Sequence, residues 1–204
     1  VSTLLFCPTT AAVDNLGAEG MSCGVHNVGD VMYDVALFYR ERARQHSTIL
    51  HRLGLEPGGF ALATCHRAEN TNDPRRLESI LTALAEIARQ VPVILPLHPR
   101  THKLVRDYGL SHLMSGLTVV EPLPFLDMVA LEQAAKVILT DSGGVQKEAF
   151  FYRVPCVTLR DETEWVETIR LGWNRLAGSG KKEILAAYQG LQAPTGEPAQ
   201  PYGG

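Results

Sequence analysis

The 204-residue sequence predicts a doubly wound, parallel α/β sheet, and three observations carry that expectation. Short apolar runs alternate along the chain with longer amphipathic stretches. Most of the runs are apolar throughout, as strands buried on both faces of a parallel sheet are. Four polar clusters follow four of the runs directly, and the carboxyl ends of parallel strands are where such sheets bind ligands.

The elements follow in order. Strands are expected at residues 4–7 and 24–27. The stretch 31–53 predicts one long helix, because Val35, Phe38, Tyr39 and Ala43 recur near helical spacing. Strand 60–64 comes next. Helix 74–90 has a cap in Asn72 or Asp73 and a preorganised first turn in Pro74. Its apolar face is Leu77, Ile80, Leu81, Leu84, Ile87 and Ala88. Strands 93–97 and 117–120 follow. A helix at 126–135 leads into strand 137–139, and another at 145–152 into strand 156–159. Strand 174–176 and helix 182–191 close the series. Repeated strand–helix–strand units imply right-handed crossovers. The tail 192–204, rich in Gly, Pro, Ala and Gln, reads as a linker or frayed, flexible end.

Composition bounds the function. Hydrophobic residues make up 45% and charged residues 20%, the balance of a soluble globular domain. Nineteen basic residues face 22 acidic ones, for a net charge of −3. That argues against a nucleic-acid partner bound over a broad basic face, while leaving room for a local anion pocket. No run approaches the ~18–20 apolar residues of a membrane span. The opening has no basic flank followed by a signal-length apolar stretch, so a cytoplasmic protein with no membrane partner is expected. Cys7, Cys23, Cys65 and Cys156 form no CxxC pair. They read as buried free thiols, with no structural zinc and no other metal site.

Four loops carry the chemistry. Asp141-Ser142-Gly143-Gly144 follows a strand and opens a helix. Its glycines admit close backbone approach, and the first-turn N–H groups suit a phosphate or diphosphate. Asp141 or Ser142 equally suits plain N-capping. Glu148, in the second turn, can accept two ribose hydroxyls or can be a solvated helix acid. His66 and Arg67 end the third strand with donors for phosphate oxygens, and Glu69 can orient one of them. His98, in Leu97-His98-Pro99-Arg100, adds a second His/Arg group on the same edge, or is a loop histidine bonded to backbone. Arg160-Asp161-Glu162-Thr163-Glu164-Trp165 ends the seventh strand. There, carboxylates can recognise hydroxyls beside Arg160, or simply stabilise a helix start. Trp165 and Trp173 read as core. No G-x-S-x-G elbow, Walker loop, HExxH, EF-hand or kinase motif occurs.

Taken together, HRAEN, LHPRT, EPLPFLDMVALEQAAK, LTDSGGVQKEA, LRDETEWVE and LGWNRLAG resemble the carboxyl-terminal half of the non-hydrolysing UDP-N-acetylglucosamine 2-epimerases. LLFCPTTAAVDNL and HNVGDVMYD resemble that family's inter-domain region, and PYGG the start of its closing motif. The resemblance implies the carboxyl-terminal, Rossmann-like domain of a glycosyltransferase-B enzyme, with residues 1–23 left from an absent amino-terminal domain and residues 24–191 binding UDP. It implies that His66 is the catalytic contact to the diphosphate. Ser142, Gly143 and Gly144 would hold phosphate oxygens, and Glu148 would grip the ribose. The loop 122–128 would flank uracil, with Met128 standing where the family often has an aromatic. Arg67, Glu69, His98, Arg160 and Glu164 would line the sugar–phosphate region.

The implied reaction inverts carbon 2 of UDP-N-acetylglucosamine by eliminating UDP and adding it back, and it requires no cofactor. The implied setting is nucleotide-sugar metabolism for cell-surface polysaccharide. The implied partners are UDP, a UDP-N-acetylhexosamine, the amino-terminal domain that carries the proton-moving carboxylates, and a second copy in a homodimer. A UDP-sugar-dependent glycosyltransferase and a non-catalytic nucleotide-sugar binding module are the alternatives.

Overall fold

A computed structural model describes residues 2–195 and 199–203. In chain order the elements are β1 (Leu5–Cys7), α1 (Thr10–Ala18), β2 (Val25–Asn27), α2 (Val31–His46), α3 (Ile49–Leu53), β3 (Ala61–Thr64), α4 (Ala68–Thr71), α5 (Pro74–Ile87), β4 (Val93–Pro96) and α6 (Pro99–Asp107). A 3-10 turn, Ser111–Met114, follows. Then come β5 (Thr118–Val120), α7 (Phe125–Ala134), β6 (Val137–Thr140), α8 (Gly143–Phe151), β7 (Cys156–Thr158), α9 (Val166–Arg170), β8 (Asn174–Leu176) and α10 (Lys181–Gly190).

Six strands form one parallel sheet in the order β5-β4-β3-β6-β7-β8. The order reverses between β3 and β6, the two central strands, and ligands of doubly wound sheets sit at that switch point. Successive residues of the four central strands, β3, β4, β6 and β7, serve opposite layers. Ala61, Ala63, Val93, Leu95, Leu139 and Val157 pack with α5 and α10. Leu62, Ile94, Ile138 and Cys156 pack with α2, α3, α7 and α8. Both faces are covered, which is why these runs show no polar alternation.

The cap expected for helix 74–90 is Asp73, whose carboxylate accepts from the Arg75 and Arg76 N–H groups at 2.9 and 3.4 Å. The expected helix 31–53 is instead two helices. Ser47 leaves the helical region (ψ 135°) and donates to Asp127 Oδ1 at 2.5 Å. Arg52 Nη2 donates to the other Asp127 oxygen at 2.9 Å, so the first turn of α7 clamps the break.

Three further expectations are corrected. The strand expected at 24–27 does not join the main sheet. It pairs in parallel with β1 in a separate two-stranded sheet bridged by α1, so a boundary after residue 23 cuts through a folded unit. Cys23 is exposed; Cys7, Cys65 and Cys156 are the buried free thiols. Part of the tail is packed rather than frayed. Tyr202, only 2% exposed, lies against Phe150, Phe151 and Trp165. Its carbonyl accepts from the Asp30 N–H at 3.0 Å. Gly29 (φ +74°) permits that approach, since a Cβ there would sit 2.9 Å from the Tyr202 oxygen. Residues 196–198 and 204 of the tail lie outside the described residues. No described helix is long and apolar enough to cross a membrane.

Candidate functional site

The site begins where β3 and β6 end side by side. Thr64 and Thr140 are register partners, and their hydroxyls lie 2.6 Å apart. The first residue after β6 is Asp141, whose carboxylate has no solvent exposure. It accepts from the His66 N–H at 3.0 and 3.2 Å, the Arg67 N–H at 2.9 Å and Asn70 Nδ2 at 3.2 Å. Asn70 also donates to the Leu159 carbonyl at 2.8 Å, tying in the end of β7. A buried charge needs this many donors, and in satisfying itself Asp141 fixes the loop that bears His66 and Arg67. The His66 ring stays half exposed, with Nδ1 3.7 Å from Asp141 Oδ1.

Ser142 takes the N-cap of α8, its Oγ accepting from Val145 N–H at 3.4 Å. The N-terminus of α8 therefore opens beside the His66–Arg67 loop, on the same edge of the sheet. Three polar side chains converge over its first residue. A Cβ on Gly143 would lie 3.2 Å from Trp165 Nε1, 3.8 Å from Arg67 Nη2 and 3.9 Å from Glu164 Oε2. Glu164 is held by a two-pronged bond from the buried Arg160, at 2.8 and 3.0 Å. Those bonds keep the Glu164 carboxyl below its ordinary range and the Arg160 guanidinium above its own. Glu69 orients neither His66 nor Arg67. Its Oε1 sits 3.4 Å from Arg160 Nε, because Arg160 presents its guanidinium between the two acids. His66, Arg67, Glu69, Ser142, Gly143, Arg160 and Glu164 thus form one connected cluster.

Gly144 borders the cluster, since a Cβ there would lie 3.7 Å from Met32 Cε and 3.8 Å from Ser142 Oγ. The remaining expected site residues lie outside it. His98 caps α6, accepting the Arg100 N–H on Nδ1 at 3.2 Å, which leaves Nε2 as the outward donor when the ring is neutral. Met128 is half-buried on α7 among the apolar side chains of its layer. Glu148 is also half-buried. Burial pushes its carboxyl above the ordinary range against the pull of Lys147. On α7, burial and then the Glu148 charge drive the Glu132 carboxyl well above the ordinary range.

Two participants escape a reading of the sequence. Asp141 looks like a helix cap, and only its position directly after the buried strand Val137–Thr140 signals burial. Trp165 looks like core, and half of it is: Lys147 Nζ stands 4.2 Å from its ring centroid and pairs with Asp30 at 2.5 Å. Its indole N–H, however, lies beside Gly143 and has no hydrogen-bond partner among the described residues.

Comparison with known proteins bears on this geometry. A family model described as UDP-N-acetylglucosamine 2-epimerase matches residues 1–204. A Pseudomonas aeruginosa protein named UDP-2,3-diacetamido-2,3-dideoxy-D-glucuronate 2-epimerase is 48% identical, over 100% of this chain and 57% of its own length. A Methanococcus maripaludis UDP-N-acetylglucosamine 2-epimerase homolog is 47% identical, over 91% of this chain and 52% of its own. The Methanocaldococcus jannaschii UDP-GlcNAc 2-epimerase solved in complex with UDP-GlcNAc and UDP matches with a TM-score of 0.91 at 33% identity, over 100% of this chain and 58% of that one. The chain spans just over half the length of the relatives it matches. The parallel sheet, its switch point and the ordered loops are those of a glycosyltransferase-B-type domain, and the chain belongs to the UDP-N-acetylglucosamine 2-epimerase family.

Proposed function

We propose that this chain holds the nucleotide of a UDP-2-acetamido sugar while carbon 2 of that sugar is inverted. The observation that carries the reading is the buried Asp141 carboxylate, which fastens the His66–Arg67 loop beside the N-terminus of α8. Backbone N–H groups, a guanidinium and an imidazole then face one edge, where a diphosphate fits. On this reading Ser142, Gly143 and Gly144 hold phosphate oxygens with His66 and Arg67. Glu148 takes the ribose hydroxyls, and Met128 lies beside the base. Arg160, Glu164, Glu69 and His98 border the sugar.

The chemistry follows from the leaving group. A base removes the proton on carbon 2, the bond from carbon 1 to the diphosphate oxygen breaks, and UDP leaves with the electron pair. A proton delivered to the opposite face of carbon 2, and return of the UDP oxygen to carbon 1, complete the inversion. Charge builds on the diphosphate as it leaves, so donors fixed around it favour the transition state over the ground state. The carboxylates that move the proton belong, on this reading, to the share of the relatives' length that this chain does not span. A cytoplasmic homodimer belongs to the same reading.

Titration calorimetry tests it. The chain is expected to bind UDP, and His66→Ala to weaken UDP binding by about tenfold while sparing uridine. A folded sample that binds no UDP overturns the reading, and equal loss for UDP and uridine removes the diphosphate role of His66. The 48% identity to the diacetamido-glucuronate epimerase favours a second substrate, the diacetamido-uronate nucleotide. Solvent deuterium entering carbon 2 of one nucleotide and not the other, with the remaining length of the protein present, decides between them.

A further inference from the structure

Helix α2 carries two apolar faces. Ala36 and Ala43 are buried in the domain core, with Met32 and Tyr33 packed beside them. Val31, Val35 and Phe38 recur at i, i+4 and i+7, so they form a second stripe, and they are 72%, 42% and 56% exposed. The stripe widens into an aromatic row. Phe38 meets Tyr39 edge-on at 5.0 Å between ring centroids, and Tyr39 meets Phe125 of α7 edge-on at 5.1 Å. Phe125 is 48% exposed, and the Arg42 guanidinium stands 4.3 Å from the Phe38 centroid. A lone exposed apolar residue needs no explanation, but contiguous aromatic rings with an arginine have the composition of an interface.

The charges beside the stripe say what it fits. Asp34 and Arg42 are exposed and stand one helical step, i±4, to either side of Phe38. Glu41 is already engaged by Arg44 and Gln45, whereas no salt bridge among the described residues takes up Asp34 or Arg42. Along the helix the order is therefore acid, ring, base. A two-fold axis at Phe38 turns that order end to end. Each Asp34 then faces the Arg42 of the other copy, and the two Phe38 rings meet. Antiparallel helices also bring opposite ends of their dipoles together. A surface that complements itself under such a rotation fits a second copy of this chain.

We propose that the outer stripe of α2, together with Phe125, is an isologous interface through which two copies of this chain pair with their α2 helices antiparallel. The 16 residues of α2 give a footprint about 24 Å long and ~10 Å wide. That falls short of the ~800 Å² per partner of a standard interface, so the pairing depends on concentration, with a dissociation constant on the order of 10–100 μM. The surface stands apart from the nucleotide site and does not depend on that reading.

Sedimentation velocity on the whole chain, from about 1 to 500 μM, tests the interface. The parent is expected to pass from monomer to dimer across that range. Phe38→Asp is expected to weaken pairing more than about tenfold. Phe6→Asp, at a 66% exposed ring on β1, is expected to leave it unchanged. Asp34→Lys and Arg42→Glu are each expected to weaken pairing about threefold, and the two together to restore it. Damage to the fold cannot produce that restoration, so the charge exchange decides the matter should Phe38→Asp fail to fold. A chain that stays monomeric at the highest concentration overturns the proposal. So does a dimer that Phe38→Asp leaves intact or Phe6→Asp disrupts, or a double charge exchange that fails to restore pairing.

Discussion

A carboxylate with no exposure and four close donor contacts organises this site, and its chemistry can be altered by a single atom. Asp141→Asn keeps the shape but replaces one accepting oxygen with an NH2 group. Whichever way the amide turns, that group faces a backbone N–H or Asn70 Nδ2, donor against donor. The expected cost is about 3 kcal/mol in urea unfolding, because a charge-assisted acceptor is lost and a buried donor is stranded. UDP affinity is expected to fall as well, since His66 and Arg67 hang on the same bonds. Unchanged stability with unchanged UDP binding would show the loop to be held by something else. That His66, Arg67, Ser142 and Gly143 share one edge could be read from sequence, because loops directly after parallel strands gather at the carboxyl edge of the sheet. Asp141 could not, since an acid before a serine and two glycines looks like a cap until burial is known. Glu69 misled for a related reason: its partner, Arg160, is 91 positions away and approaches from another strand end.

Helices α7 and α8 face each other with an acid on each, and that pairing carries a pH signature. Glu132 is 2% exposed, and one of its oxygens lacks a hydrogen-bond partner. Glu148 faces it from α8, with Tyr152, Lys147 and Arg40 nearby, and burial raises both carboxyls above their ordinary range. A carboxyl raised on folding binds its proton more tightly in the folded state. Its contribution to stability is therefore complete below the unfolded value of about 4.3 and is lost as pH rises through the folded value. Glu132→Gln removes that loss. The variant is expected to gain on the parent as pH rises above about 4.3, read as the difference in urea midpoints, until the folded value is passed. A difference that stays flat over that range would show Glu132 to titrate alike folded and unfolded. At this scale the sequence spoke unevenly. Helix α5 was plain because its cap, proline and apolar spacing agree. Helix α1 has no buried residue, and α6 buries only Thr101 and Val105, so neither carries a readable apolar face. The break between α2 and α3 is enforced from Asp127, 80 positions beyond Ser47, while the local apolar spacing runs straight through it.

Over the whole molecule, the last described residues reach back to the site. Tyr202 packs its ring among Phe150, Phe151 and Trp165, and its carbonyl bonds to Asp30, the partner of Lys147 under Trp165. A segment whose composition reads as linker thus closes the layer behind α8, and a single aromatic in a run of Gly, Pro and Gln gives no periodicity to announce it. The doubly wound parallel sheet was legible because strands buried on both faces must be apolar throughout. The tail's return was not, because it depends on one ring finding three others far away in sequence. Removing that ring leaves a cavity lined by aromatic side chains, so Tyr202→Ala is expected to cost ~3–5 kcal/mol in chemical unfolding. The cavity also frees one side of the Trp165 indole, so its near-ultraviolet circular dichroism is expected to weaken even where the variant remains folded. If the midpoint and the indole signal both match the parent, Tyr202 does not buttress the site, and the carboxyl-terminal segment is an appendage after all.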